Sequence, residues 1–277
     1  MVMDSRKSIV ESGLTALAVA LCLCLFAGCE VIGENERLIA IEQPIVADRS
    51  HVLIEFTGFR CVNCPKASAT AEQLRQTYGE RLITVAMHPA SNPFTQGVDK
   101  YNYTCAAADT YYLYMGGNAT TPFPTGNIDM LASADGFLSD YPLWATRLAA
   151  LTGEPAIVEL TASLDWQPDT RQVTIRTACR AAQPQQVQLA LWLVEDSIQG
   201  AQAMPDGSVD TQYIHRHMLR NAIGDEWGVS ITARPQPDEQ QAVAVLPEAY
   251  EPNHCAVVAV VMDADKTIIN AKQIPIQ

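Results

Sequence analysis

Two cysteines separated by two residues, Cys61 and Cys64, are the feature of the sequence with the clearest chemistry. Thiols at this spacing can form a redox-active disulfide, supply half of a zinc site or close a small structural loop. A zinc site needs two further ligands, and the sequence contains neither a second CxxC nor an HxxxH pair. Zinc is therefore the weakest reading, and a catalytic and a structural disulfide both stay open.

The residues around this pair predict a strand, a turn and a helix. The apolar run "HVLIEFTG" is typical of a buried strand, and "PKASATAEQLRQTYG" is an Ala-rich helical segment that a glycine ends. A second strand, "RLITVAMH", completes a βαβ unit. A helix N-terminus favours a thiolate, and Arg60 adds a positive charge beside the first cysteine. We therefore expect Cys61 to attack a disulfide and Cys64 to resolve the mixed disulfide.

This arrangement resembles thioredoxins, which carry an acidic residue and then Phe on the strand before the first cysteine. Glu55 and Phe56 stand six and five residues before Cys61. A carboxylate on a covered strand is desolvated, so we expect Glu55 to have a raised pKa and to relay the proton of the resolving thiol.

The same resemblance implies a cis-proline opposite the two cysteines. The segment "TPFPTGNID" offers Pro124, which would hold a client chain together with Phe123 and Thr125. The chain departs from thioredoxins at Arg60, where they carry Trp, and at "VN", where they carry Gly-Pro. These departures leave catalysis open and keep a structural disulfide as the alternative.

The N-terminus predicts export. Basic residues, an apolar run and the small residues of "LFAGC" follow one another in the order of a secretory signal. The end of this segment resembles a bacterial lipobox, which implies that residues 1–28 are a signal peptide and that Cys29 is lipidated. Residues 29–48 are then a tether with a possible first strand, and the lipid at Cys29 is the predicted contact with the membrane.

Composition limits the classes of partner. The chain has 277 residues and a net charge of −13, so charge will not hold it to nucleic acid. Export implies an oxidising compartment, where exported proteins offer thiols and disulfides as partners. Beyond the cysteines already named, Cys105 has no assigned role. The sequence indicates no cofactor and does not fix the oligomeric state.

The pattern of residues changes near Glu154. Residues 49–153 alternate strands and helices, which predicts an α/β thioredoxin-like domain. Residues 154–277 contain alternating runs rich in Val and Thr, which predict an all-β immunoglobulin-like sandwich domain. Within this second part, "DSIQGAQAMPDGSVD" is polar and predicts a long loop.

The C-terminal part has weaker candidates of its own. Cys179 and Cys255 lie on predicted strands with Trp192 between them, an order known from sandwiches with a disulfide between their sheets. Two buried free thiols are the equal alternative. His215 and His217 are predicted on one face of a strand and are weak metal candidates, because no third ligand is evident.

Four segments together, "EFTGFRCVNCP", "FPTGNID", "LWLVEDSIQGAQ" and "YIHRHMLRNAIGDEWG", resemble the 28-kDa outer-membrane lipoproteins of Bacteroidetes-type bacteria. This resemblance implies a lipid-anchored protein of the cell envelope. The leading functional hypothesis is thiol–disulfide exchange on exported proteins. The alternative is a surface binding or adhesion lipoprotein whose CxxC is a structural disulfide.

Overall fold

The computed structural model describes residues 49–97 and 102–277. The predicted signal peptide, the lipidation site at Cys29 and the possible strand in the tether lie outside the described residues. The helices are α1 (Cys64–Tyr78), α2 (Ala106–Tyr114) and α3 (Trp144–Leu151). The strands are β1 (His51–Phe56), β2 (Leu82–Met87), β3 (Thr125–Ile128), β4 (Glu159–Gln167), β5 (Gln172–Arg180), β6 (Gln185–Glu195), β7 (Ile198–Ala203), β8 (Val209–His215), β9 (Met218–Ala222), β10 (Val229–Ala233), β11 (Gln240–Val245), β12 (Cys255–Met262) and β13 (Ile268–Pro275).

One large sheet runs through both halves of the sequence. Its strand order is β13-β12-β6-β9-β2-β1-β3, and β10 also pairs with β6. β1 and β2 are parallel and are joined by α1, whereas β3 is antiparallel to β1. The two halves meet where β2 lies beside β9, with Ala86 opposite Met218. The domain boundary near Glu154 stays a prediction, and strands from both sides of it hydrogen-bond in this sheet.

Strands β6 and β12 explain why the longest apolar runs in the sequence do not alternate. Ala190, Trp192 and Val194 of β6 face a core that includes the cysteine pair and α2. The intervening residues of β6 face a second core, which the small sheet β11-β5-β4 covers. A strand that is buried on both faces needs an apolar residue at every position. The described part of the chain is therefore mostly β and contains two sheets that share a core.

Helices α1 and α3 cover the other side of the N-terminal strands. Ala67, Ala71 and Leu74 lie on one face of α1, because their spacing matches the helical repeat. They pack with Leu53 of β1 and Trp144 of α3. This packing fixes the N-terminus of α1 against the end of β1. No helix in the described ranges is long and apolar enough to cross a membrane.

A hairpin of β7 and β8 replaces the long loop that the sequence predicts at residues 196–210. These two strands pair with each other and belong to neither of the larger sheets. Their alternation is weak, with polar residues such as Gln199 and Gln212 paired on the exposed side. The loop prediction was wrong because a polar hairpin lacks the apolar periodicity from which a strand is recognised.

Candidate functional site

The cysteine pair lies at the junction of β1 and α1. Cys64 is the first residue of α1, and Pro65 follows in the first turn, where a missing N–H leaves no hydrogen bond unmade. Cys61 precedes the helix, in a turn that its N–H closes by donating to Gly58 O at 3.0 Å. The two sulfurs form a disulfide. The pair is thus held at a helix N-terminus, although only Cys64 belongs to the helix itself.

Glu55 is a buried acid beside this junction. It lies on β1 with 5% of its surface exposed, and Ser68 Oγ donates to its Oε1 at 2.8 Å. Burial away from water raises the pKa of Glu55 to about 7, against smaller opposing contributions from the Ser68 and Thr57 hydroxyls and from the charge of His217. A carboxyl group with this pKa can both give and take a proton near neutral pH.

The Phe123–Pro124 peptide bond is cis. Phe123 is buried and stacks on Phe94 with ring centroids 6.1 Å apart. Thr125 begins β3, and its hydroxyl donates to Ser139 O at 3.2 Å. The side chains of Phe123 and Thr125 are therefore used in packing, and a contact between this segment and a client chain stays a prediction.

Arg60 is the exposed residue next to the first cysteine. Its guanidinium lies over the Phe59 ring, 5.5 Å from the centroid, and its backbone N–H donates to Phe94 O at 3.1 Å. The backbone of the cysteine turn is thereby tied to the segment after β2. The charge of Arg60 stays at the surface beside Cys61.

The hairpin formed by β7 and β8 covers the cysteine turn. Ala203 N–H donates to Phe59 O at 2.8 Å, and the buried Gln202 side chain donates to Cys61 O at 2.9 Å. Cys61 is 2% exposed and Cys64 is 1% exposed. Both cysteines are therefore buried, and the backbone of their turn is held by a segment that follows them by well over a hundred residues.

A cavity of about 410 Å³ lies on the Glu55 side of this junction. Its walls are formed by residues of α1, of β2 and of the end of β8, together with the residues that follow β8. Two histidines in its wall are held neutral, because burial lowers the pKa of His88 to about 3 and that of His215 to about 4. Thr84 Oγ1 and His88 Nδ1 are buried here without a hydrogen-bond partner among the described atoms. The cavity next to Glu55 is thus lined by polar and apolar groups together.

His215 and His217 line this cavity from different backbone environments, contrary to the prediction of one shared strand. His215 ends β8, whereas His217 lies between β8 and β9 with a positive φ of 53°. His217 Nδ1 lies 2.9 Å from Asp196 Oδ2, so this ring nitrogen already contacts a carboxylate. Among the described residues no group of three or more His, Cys, Asp or Glu side chains could hold a metal ion.

Cys179 and Cys255 are free thiols in the structure, not the disulfide offered as one alternative. Both are buried, Cys179 on β5 and Cys255 at the start of β12, and burial raises the pKa of each thiol to about 12. A thiol with such a pKa is a poor nucleophile. Cys105 precedes α2 and is also free, and burial raises its pKa as well. Among the described cysteines, Cys61 and Cys64 are therefore the pair that forms a disulfide.

The sequence reasoning missed three residues of this site. Ser68 could have been found, since it lies one helical turn after Cys64 and so shares its face of α1. Gln202 and Tyr213 give no such signal. They reach the site from the β7–β8 hairpin, and Gln202 is 141 residues from Cys61.

Comparison with solved structures shows which known fold the chain shares. HBP35 of Porphyromonas gingivalis aligns with a TM-score of 0.63 at 16% identity, over 83% of this chain and 76% of that one. A domain of the outer membrane lipoprotein Omp28 from the same organism aligns with a TM-score of 0.31 at 16% identity, over 43% of this chain and 87% of that one. The first of these likenesses shows a shared fold. No curated protein matches the chain.

The comparison with protein families is more specific than the structural likenesses. The family model described as outer membrane protein Omp28 matches residues 108–277, a range that includes the β7–β8 hairpin and lies after the cysteine pair. This range is more than half of the chain. The chain therefore belongs to the Omp28 family of outer-membrane lipoproteins, and its place is the outer membrane of the cell envelope.

Proposed function

We propose that this outer-membrane protein exchanges thiols and disulfides with exported proteins through Cys61 and Cys64. The observation that carries the proposal is Glu55, a buried acid whose pKa is raised by burial to about 7 beside the helix that begins at Cys64. Burying an acid without a cation close by destabilises a fold, and a structural disulfide needs no such group. The cis Phe123–Pro124 bond and the order strand, cysteine pair, helix support a thioredoxin-like N-terminal part.

The exchange follows from the positions of the two thiols. In the reduced protein the Cys61 thiolate attacks a client disulfide, which forms a mixed disulfide and releases one client thiolate. Cys64 then gives its proton to the Glu55 carboxylate and attacks the Cys61 sulfur. The mixed disulfide breaks, the Cys61–Cys64 disulfide forms, and the second client thiolate leaves. Two electrons pass from the protein to the client, and the same steps in reverse oxidise a client dithiol.

Access to Cys61 requires the β7–β8 hairpin to move. Its hydrogen bonds to Phe59 O and Cys61 O hold it over the turn, yet the hairpin belongs to neither larger sheet. A segment with few ties to the sheets can open at a lower free energy than the core. The C-terminal part, which we interpret as an immunoglobulin-like sandwich, would then present the hairpin to the redox site.

A second candidate function is surface binding with a permanent Cys61–Cys64 disulfide. The burial of both cysteines, at 2% and 1% exposure, favours it. On this reading the disulfide fixes the turn under the hairpin, and binding takes place elsewhere on the molecule.

The reduction potential of Cys61–Cys64 separates the two functions. We expect a full-length Cys105→Ser protein, which keeps the pair, to equilibrate with a glutathione buffer and to reduce insulin in the presence of dithiothreitol. Cys61→Ser and Cys64→Ser should abolish turnover. A potential below about −300 mV together with no turnover is the signature of a structural disulfide and would refute the exchange function.

A substitution in the hairpin tests the need for opening. Gln202→Ala removes a buried hydrogen bond of about 1 kcal/mol, so reduction of the disulfide by a small thiol should be roughly fivefold faster. Gln199→Ala is the matched control on the same strand, because Gln199 pairs with Gln212 on the exposed side. Equal rates for Gln202→Ala and the wild type would mean that the hairpin does not limit access.

A further inference from the structure

The cavity beside Glu55 lies on one face of the parallel strands β1 and β2. Their register sets Glu55 of β1 beside Ala86 of β2. Because side chains alternate along a strand, Thr84 lies on the same face as Ala86, and His88 follows directly after β2. All four residues line the cavity. Ala86 carries only a methyl group, so it leaves room beside the Glu55 carboxyl group.

Two of these side chains are buried with a hydrogen-bonding atom to spare. Thr84 is 5% exposed and His88 is 1% exposed. Thr84 Oγ1 and His88 Nδ1 make no hydrogen bond to any residue that the structure describes. Since burial keeps His88 neutral, its ring can present Nδ1 as an acceptor, and a hydroxyl oxygen also accepts. Both atoms are therefore available to N–H donors of a molecule in the cavity.

The charges around the cavity leave one carboxyl group of its wall without a cation. The titratable or charged side chains that line it are Glu55, Glu72, His88, Tyr213, His215, Arg216 and His217. Glu72 lies 2.8 Å from Arg75. Arg216 and His217 lie 3.1 Å and 2.9 Å from Asp196. The two cations of the wall are thus matched by Asp196, and in the described part of the chain Glu55 has only hydroxyl partners at hydrogen-bond distance.

We infer that this cavity binds a small organic cation whose charge pairs with the Glu55 carboxylate and whose N–H groups donate to Thr84 Oγ1 and His88 Nδ1. The volume of about 410 Å³ lies within the range of small-molecule sites, about 300–1,000 Å³. Such a cation has two sources, a free small molecule and the basic side chain of a client protein. The inference does not depend on disulfide exchange, because binding of a cation needs no thiol.

An organic cation suits this site better than a neutral molecule or a metal ion. A buried carboxylate without a cation is unfavourable, and a neutral ligand would leave its charge unpaired. A metal ion needs several ligands, and within the described ranges no group of three or more His, Cys, Asp or Glu side chains could supply them. An organic cation needs one carboxylate and a few neutral acceptors, which is the set that Glu55, Thr84 and His88 provide.

The test measures binding of butylguanidinium to the oxidised full chain by calorimetry at about pH 6 and about pH 8. This probe stays charged at both values, so pH acts through the protein. Because the pKa of Glu55 is about 7, its carboxyl group is mostly protonated at the lower pH and mostly ionised at the higher one, and the Kd should fall about tenfold. Butylurea, the neutral isostere, should bind about tenfold more weakly than butylguanidinium at the higher pH.

Variants assign this binding to named side chains. Glu55→Gln should lose both the preference for the charged probe and the gain in affinity with pH, whereas the exposed Glu80→Gln should keep both. Thr84→Val keeps the shape of the side chain and removes its hydroxyl, so it should weaken binding about tenfold. Thr161→Val, on the exposed side of β4, is its matched control and should keep the wild-type Kd.

A third probe separates the two sources of the cation. An arginine peptide with blocked ends that binds more tightly than butylguanidinium assigns the site to a basic side chain of a client, and one that binds more weakly assigns it to a free molecule. No binding of butylguanidinium, an equal Kd for butylurea, or wild-type binding by Glu55→Gln would overturn the inference and leave the exchange function standing. Charge-dependent binding by a protein that does not exchange disulfides would support the cation site and refute the exchange alone.

Discussion

Strand β1 meets a buried carboxyl group at each end, and the two are held in opposite ways. At its start, Asp129 is surrounded by donors: His51 Nδ1 at 2.6 Å, Arg49 at 3.1 Å and the Val52 N–H at 2.7 Å. Near its end, Glu55 has hydroxyl partners, and the charge of His217 adds a smaller contribution. The first group is compensated within the fold, whereas the second is left able to change its charge.

This difference shows which of the two carboxyl groups stabilises the fold. A carboxylate with a cation and a backbone N–H keeps its charge at little net cost and ties segments together. Asp129 follows β3 directly and accepts a hydrogen bond from the start of β1, so it ties these two strands together. Arg49 also donates to Ile268 O on β13. Among the described residues, Glu55 has no charged partner of opposite sign at hydrogen-bond distance. Such an uncompensated acid is expected at a site of proton transfer.

Removing the negative charge of Asp129 should have the largest effect on the free energy of unfolding. Asp129→Asn leaves His51 and Arg49 without their anion, and breaking a buried pair of this kind costs about 3–5 kcal/mol of unfolding free energy. Urea unfolding measures it. Asp135→Asn, at an exposed turn, is the control and should change stability by less than about 0.5 kcal/mol. If both substitutions behave alike, the network around Asp129 does not stabilise the fold.

The raised pKa of Glu55 should make the stability of the fold depend on pH. Because the pKa of Glu55 is about 7 when folded and 4.5 in its ordinary state, the folded protein binds more protons between these values. Its contribution to stability therefore falls as pH rises through this window. We expect the stability of the wild type relative to Glu55→Gln to drop by about 2 to 3 kcal/mol between about pH 5 and about pH 8.

Comparison with Glu55→Gln is necessary because other groups titrate in the same window. Burial lowers the pKa values of His88 and His215, so their contribution to stability is lost as pH falls below their ordinary value. This opposes the effect of Glu55 in the wild type and cancels in the difference between the two proteins. A difference that does not vary with pH would contradict the raised pKa.

The sequence predicts Glu55, near the end of β1, but not the partners of Asp129 at its start. Glu55 can be identified because its distance from Cys61 is local and matches a known pattern, and Pro124 follows from the same resemblance. Family membership, inferred from four segments, is confirmed by the family match. The partners of Asp129 carry no local signal, since His51 is 78 residues away along the chain. Contacts of this kind are decided by the packing of strands, which no short motif encodes.

The same limit applies to the β7–β8 hairpin, which lies over the cysteine turn. The buried strands β6 and β12 are legible as continuous apolar runs, because both of their faces are covered. The β7–β8 hairpin is polar and half-exposed, so its residues read as a loop. Gln202 and Tyr213 are thus residues that only the folded chain brings to the cysteine turn and to the cavity beside Glu55.

The smallest expected effect comes from His217, whose charge acts on Glu55. His217 lowers the pKa of Glu55, though less than the hydroxyls of Ser68 and Thr57 do. His217→Gln should therefore raise the pKa of Glu55, by less than Ser68→Ala does, and carbon NMR of the carboxyl group measures both. Arg216→Gln is the matched control, because Arg216 pairs with the same Asp196 and is exposed. If Arg216→Gln moves the pKa as far as His217→Gln, then Glu55 responds to the general charge of the cavity rim, and its contrast with Asp129 is one of degree.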